Sequence, residues 1–194
     1  MSIGIREQKR RWTRAQVAAT AMTLFRDRGF DGTTIDDIAS AAAVSPRTVF
    51  RYFGTKEEIL FATDEEHLGQ FLTTIRHARP DPTLEGLAPA LLDFARALEP
   101  QRDVLAVRTA VIGAHPRLLA REALVRRDWE DSLAHELDSS GGPLDGPPAR
   151  LLAATALAVL MEAVRQWLAT EHPPPLETVT RTCLDTAARV LTPA

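Results

Sequence analysis

Residues 34–53, TIDDIASAAAVSPRTVFRYF, leave little choice of fold. Thr34 followed three residues later by Asp37 is a helix-start signal, because each side chain can take the other's free backbone N–H. Ile35, Ile38, Ala39 and Ala42 give that short helix one buried side. Ser45-Pro46 then supplies an N-cap and a proline in the first helical turn, where its missing N–H costs nothing. The helix it opens runs to about Tyr52 and stops at Gly54. A short helix, a turn and a second short helix is the arrangement that presents a recognition helix to the major groove of DNA. Val44, Val49 and Phe53 can turn inward, which leaves Ser45, Arg47, Thr48, Arg51 and Tyr52 outward. Arginine forks suit guanine edges or phosphate, and hydroxyls with helix-start N–H groups suit phosphate oxygens. The bland alternative is a solvated face on a small helical domain.

The rest of the chain also repeats apolar residues at helical spacing, and no run alternates as a strand would, so the fold class is all-α. A first helix is expected from about Thr13 to Arg28, with Val17, Ala21, Leu24 and Phe25 on one stripe and Gly29 as its stop. Thr55 and Glu58 open a long helix expected to run to about Ala78 and to link two domains. Further helices are expected at about 83–99, 101–113, 116–138, 148–170 and 175–191, separated by proline and glycine signals. The Gly/Pro-rich segment 140–148 reads as a long mobile loop. The expected organisation is a basic arm (1–10), a three-helix domain with the helix-turn-helix (11–58), and a helical effector-binding and dimerisation domain (59–194).

Charge is distributed to match. The net charge is −3, yet residues 1–60 hold ten Lys and Arg against seven Asp and Glu, whereas residues 61–194 hold thirteen against nineteen. An anionic partner for the first third fits that asymmetry. The tail residues Arg6, Lys9, Arg10, Arg11 and Arg14 are placed as an arm that reaches along a DNA backbone or into a minor groove would be, with a disordered solvated tail as the alternative. The apolar stretch Leu151 to Met161 is closed by Glu162 and Arg165, short of a bilayer span, and no signal peptide is read, so a cytoplasmic protein is expected.

The stretch from about 11 to 60 resembles the DNA-binding domain of the TetR/AcrR (tetracycline-repressor) family of regulators. The resemblance rests on LFRDRGFDGTT at the end of the first helix, IDDIASAAAVS, RTVFRYF and GTKEEIL, all in order. It implies a homodimer whose last two helices pack as a four-helix bundle, and a variable ligand pocket between linker helix and C-terminal helices. It usually implies repression relieved by ligand. Carried over by position, Thr34 sits nearest the DNA backbone, Ser45 caps and touches phosphate, and Lys56 meets a phosphate. Arg47, Thr48 and Arg51 lie in the groove. Two residues depart from the pattern: Arg47 stands where many members have glycine, and Phe50 where many have a tyrosine whose hydroxyl reaches phosphate. Phe50 cannot make that bond, and Tyr52 points from a different part of the helix.

Further along, Phe61, His67, Phe71, Phe94, Arg108, Trp129, Met161, Glu162 and Trp167 could line an apolar pocket with a few polar groups, core packing being the alternative for each. Leu176, Val179, Cys183, Ala187 and Val190 recur at steps of three and four and form a candidate dimer stripe. The histidines at 67, 77, 115, 135 and 172 are not spaced as helical metal ligands, Cys183 is the single cysteine, and no phosphate cradle or nucleophile motif occurs. Neither metal, cofactor nor catalysis is expected. The leading expectation is therefore a dimeric transcription regulator, repressing through a palindromic operator and responding to an apolar small molecule. Its rivals are an interaction module that no longer reads DNA and a small all-α enzyme.

Overall fold

The computed structural model describes residues 2–78, 80–139 and 147–191, and no strand occurs among them. In chain order the helices are α1 (Ser2–Arg28), α2 (Ile35–Ala41), α3 (Pro46–Tyr52), α4 (Lys56–Leu60), α5 (Asp64–Ala78) and α6 (Leu84–Leu98). A 3-10 turn (Glu99–Gln101) precedes α7 (Arg102–Ala114), α8 (Pro116–Ser139), α9 (Pro147–Ala169) and α10 (Leu176–Leu191). The all-α fold is as the periodicity predicts. The stretch 140–146 of the expected mobile loop lies outside the described residues.

Two elements differ from expectation, each for a physical reason. The basic arm is not a tail: α1 begins at Ser2 and carries it as helix, since its Arg, Gln and Lys residues are good helix formers and Arg11 pairs with Glu7 one turn back at 3.4 Å. The linker helix is not continuous either. It breaks between α4 and α5, where the carbonyls of Leu60 and Ala62 accept arginine donors instead of helical N–H groups. Arg108 Nε reaches Leu60 O at 3.0 Å, and Arg14 Nη1 reaches Ala62 O at 2.8 Å.

The chain divides into two compact units. One comprises residues up to Glu65 with Asp103–Ala120, and the other comprises Glu66–Arg102 with the residues from Arg121 onward. In the first, α2 packs on α1 and α3, and α4 packs on α1. Val17, Ala21, Phe25, Ile38, Val49, Phe53 and Ile59 form its buried core. The turn after α1 needs glycine twice. Gly29 has a φ of 77°, and a Cβ on Gly32 would stand 2.6 Å from the carbonyl oxygen of Arg28. That turn sets where Thr34 begins α2.

In the second unit α10 packs on both α6 and α9. Leu87 and Leu91 of α6, Ala153, Ala156, Leu157 and Ala163 of α9, and Leu176 and Thr180 of α10 are buried together with Phe71 and Ile75. Burying one leucine of this set contributes roughly 1.5–3 kcal/mol. As a whole helix, α9 is long and apolar enough to cross a bilayer by length and composition, which the run to Met161 alone is not. Its Ala153, Ala156, Leu157 and Ala163 are buried, and it packs on α6 and α10.

Candidate nucleic-acid interface

The outward face of α3 is fixed from both ends. At its start Ser45 is extended, and its Oγ accepts the Thr48 N–H at 3.1 Å and lies 2.9 Å from Thr48 Oγ1, with Pro46 in the first turn. At its end Phe53 is buried with the Arg14 guanidinium 5.1 Å from its ring centre. Between them Val49 is inaccessible, so the helix can rotate only one way. Arg47, Phe50 and Arg51 are consequently exposed, and Thr48 and Tyr52 are half-buried at the flanks.

The turn before α3 also has a defined geometry. Ala43 adopts a φ of 54°, the left-handed region that costs an L-residue energy, while Val44 N–H returns to the Ala39 carbonyl at 3.0 Å. At the head of α2, Thr34 and Asp37 form the reciprocal cap expected from their spacing. The Thr34 N–H and Oγ1–H both donate to Asp37 Oδ2, at 2.9 and 2.6 Å, and the Asp37 N–H donates to Thr34 Oγ1. Those bonds from the Thr34 side chain and backbone hold the Asp37 carboxyl below its ordinary range.

Arg47 carries its charge into solvent with no protein partner among the described residues. Arg51 donates from Nη2 to the Tyr52 hydroxyl at 3.3 Å, its guanidinium 5.0 Å from that ring's centre. On this flank Lys9, Arg10 and Thr13 of α1 line one open groove with Arg51 and Tyr52. The basic residues at the start of α1 and the end of the recognition helix thus share a surface. Lys56 differs: its ammonium donates to Phe30 O at 2.8 Å and Thr33 O at 3.2 Å and lies 4.3 Å from the Phe30 ring centre. Of its three donors, one remains for another acceptor. Arg14, counted with the basic tail in the sequence, is turned inward onto Ala62 and Phe53.

The sequence does not reveal that the α7–α8 junction belongs to this same unit. His115 Nδ1 bonds the Val111 carbonyl at 2.7 Å, its Nε2 lies 3.2 Å from Asp31 Oδ2, and its ring meets Phe30 edge-on. Arg117 pairs with Glu57 at 3.0 Å. The Val111 and Asp31 acceptors raise the His115 pKa, and the bond from His115 lowers that of Asp31. The proline after His115 marks a helix start, but nothing in sequence spacing identifies residues so far along the chain as neighbours of the α1–α2 turn.

The candidate pocket residues are distributed over both units. Phe61 and Arg108 belong to the first unit, with the Arg108 guanidinium 5.1 Å from the Phe61 ring centre and Nη2 paired to Asp64 at 3.0 Å. In the second unit Phe71, Phe94 and Trp129 pack ring on ring at 5.1–6.3 Å, and His67 Nε2 lies 3.0 Å from Gln101 Oε1. Trp167 is buried with the Arg102 guanidinium 5.4 Å from its ring centre. Met161 is 39% exposed, and Glu162 is held by Arg165 and Gln166, which bring its pKa down to about 2. Of the dimer stripe, Leu176 is closed off by its own subunit and has no accessible surface. Val179, Cys183 and Ala187 are half-buried and Val190 is 73% exposed.

Residues 17–63 match the family model of bacterial regulatory proteins, tetR family, and residues 81–193 match that of the MftR C-terminal domain. A Mycobacterium tuberculosis protein that bears the name mycofactocin biosynthesis transcriptional regulator MftR is 30% identical, the match covering 84% of each chain. The HTH-type transcriptional regulator TcmR of Streptomyces glaucescens is 31% identical over 84% of this chain and 76% of its own. Among solved structures, the transcriptional regulator FadR of Bacillus subtilis in complex with stearoyl-CoA aligns with a TM-score of 0.65 at 22% identity, covering 89% of this chain and 96% of that one.

Proposed function

This chain belongs to the tetR family of bacterial regulatory proteins and is a DNA-binding transcriptional regulator, and we propose that it is a ligand-responsive repressor acting as a homodimer on a palindromic operator. The observation that carries the reading is the outward face of α3, where Arg47 and Arg51 stand one helical turn apart opposite buried Val49. Arg47, Thr48 and Arg51 enter the major groove. Ser45, Thr34 and the remaining donor of Lys56 face phosphates. Lys9 and Arg10 extend the same positive surface along the backbone.

Residues 11–58 form the reading head, with 1–10 as its basic arm and 59–194 for effector binding and dimerisation. Dimerisation uses the accessible stripe Val179, Cys183, Ala187 and Val190 of α10 with α9, whose exposed Leu151 and Met161 are apolar surface without cover in one subunit. The effector is a mostly apolar small molecule bound among the C-terminal helices, and it relieves repression by binding the DNA-free state more tightly. The protein acts in the cytoplasm, where its DNA is.

A mobility-shift assay with the DNA upstream of the chain's own gene tests the reading. A shift competed only by the same sequence supports it, and equal competition by unrelated DNA rejects it. Titrating that affinity against a panel of apolar metabolites, fatty acyl thioesters included, tests the effector half separately.

A further inference from the structure

Phe50 is the feature of α3 that the proposed function leaves unused. Its side chain is 55% exposed, although it sits beside the two arginines on the helix that enters DNA. At about 100° per residue, Phe50 lies roughly 60° around the helix from Arg47, on the side away from Tyr52. The outward face therefore has a cationic and hydroxyl flank, shared with Lys9 and Arg10, and an apolar flank made by one ring.

That ring has no hydrogen-bonding atom. Set against a phosphate oxygen or a polar base edge, it would strip water from that group and return nothing. The major groove offers one apolar group only, the C5-methyl of thymine. We propose that Phe50 is a specificity-determining residue that packs on the C5-methyl group of a thymine in each half-site. This rests on the DNA-binding reading above and assigns to Phe50 a task different from a phosphate contact. Discrimination rests on the methyl group: thymine gains apolar burial against the ring, and cytosine, which carries only a hydrogen at C5, gains none.

The test uses the full-length chain and duplexes selected from a random-sequence pool at near-physiological salt. In the selected site each thymine is replaced in turn by deoxyuridine, which removes the methyl and keeps every hydrogen-bonding atom. One symmetry-related position should lose affinity by roughly fourfold per methyl removed, and the other replacements should have little effect. The F50A variant should bind the thymine duplex more weakly and show no thymine-over-uracil preference at that position. F50L, still apolar, should keep part of it. A selected half-site without thymine, indifference of the wild-type chain to every uracil, or an unchanged thymine-to-uracil ratio in F50A overturns the proposal while the DNA-binding reading stands. If no sequence is enriched at all, both fall together.

Discussion

His115 Nε2, at the junction of α7 and α8, lies 3.2 Å from the carboxylate of Asp31 in the turn that ends α1. The contact places a titratable group from the middle of the chain against the turn that positions α2. Lys56 and Arg117 also face this carboxylate, and Arg117 opposes the charge on His115.

Stability should therefore depend on pH through this pair. The Val111 carbonyl first, and Asp31 second, hold the His115 pKa above its ordinary 6.5. The folded chain thus keeps the proton more tightly than the unfolded chain. The stabilisation is complete below pH 6.5 and is lost as pH rises through the raised value. At the acid end Asp31, held below its ordinary 3.8 by the bond from His115, sustains its share until pH falls through that lowered value. Thermal unfolding midpoints measured from below pH 6.5 to well above it should fall more steeply for the wild-type chain than for His115→Gln. Parallel curves would show that the pair does not contribute.

The helix-turn-helix turn carries a residue in the wrong conformation for its type. Ala43 holds a φ of 54°, where an alanine is strained by about 1–2 kcal/mol and glycine is not. Glycine also brings extra freedom to the unfolded chain, so Ala43→Gly should gain a net of about 0.5–1 kcal/mol. Urea denaturation measures this directly. A loss of stability would mean that the strain is absent in solution.

Local signals were legible in the sequence because both partners lie within one turn. Thr34 with Asp37, and Ser45 with Pro46, each state a helix start in adjacent residues, and the structure forms both caps. The break between α4 and α5 was not legible, since its causes are Arg14 and Arg108, each 48 residues from the carbonyl it takes. For the same reason Leu176 reads as part of a free stripe: periodicity gives the apolar side of α10 but not which part of it the subunit's own α6 and α9 cover. Within the second unit His67, Phe71, Phe94 and Trp129 do come ring against ring, an arrangement that aromatic residues at helical spacing give to a core as readily as to a pocket.

Arg108 should prove structural. Its side chain and that of Asp64 are only 14% and 16% exposed, and the guanidinium also donates to Leu60 O and covers Phe61. Arg108→Ala leaves a mostly buried carboxylate and a helix-end carbonyl short of donors, at a cost of about 2–4 kcal/mol. Arg108→Lys should recover little, because an ammonium lacks the planar fork that spans both acceptors. Full stability of the lysine variant would count against this geometry.

The dimer stripe can be divided by two substitutions on one helix. Leu176→Ala should lower subunit stability by about 2–5 kcal/mol through the cavity it leaves, with the oligomeric state unchanged where the chain is folded. Val179→Glu, on the half-exposed side, should leave the fold intact and weaken self-association. Sedimentation and thermal unfolding on the same samples separate the outcomes. A Val179→Glu chain that remains a dimer would move the interface elsewhere.

Arg47 and Lys56 should separate base reading from phosphate contact. Arg47 is exposed and has no partner among the described residues, so Arg47→Ala should leave the fold unchanged and cost about 1–3 kcal/mol of specific binding if its fork reads a base pair. Its loss relaxes preference at one position of the operator. Lys56→Ala should act twice: it removes the donor to the Phe30 and Thr33 carbonyls, which lowers stability, and it removes the charge proposed above to face a phosphate. Affinity for all sequences should then fall together, and the slope of log affinity against log salt should flatten by about one contact. Footprint titrations at several salt concentrations, on chains first shown to be folded, distinguish the two. If Lys56→Ala weakens stability alone and leaves the salt slope unchanged, the ammonium is wholly engaged in holding the α1–α2 turn, and the phosphate contacts come from Lys9, Arg10 and the arginines of α3.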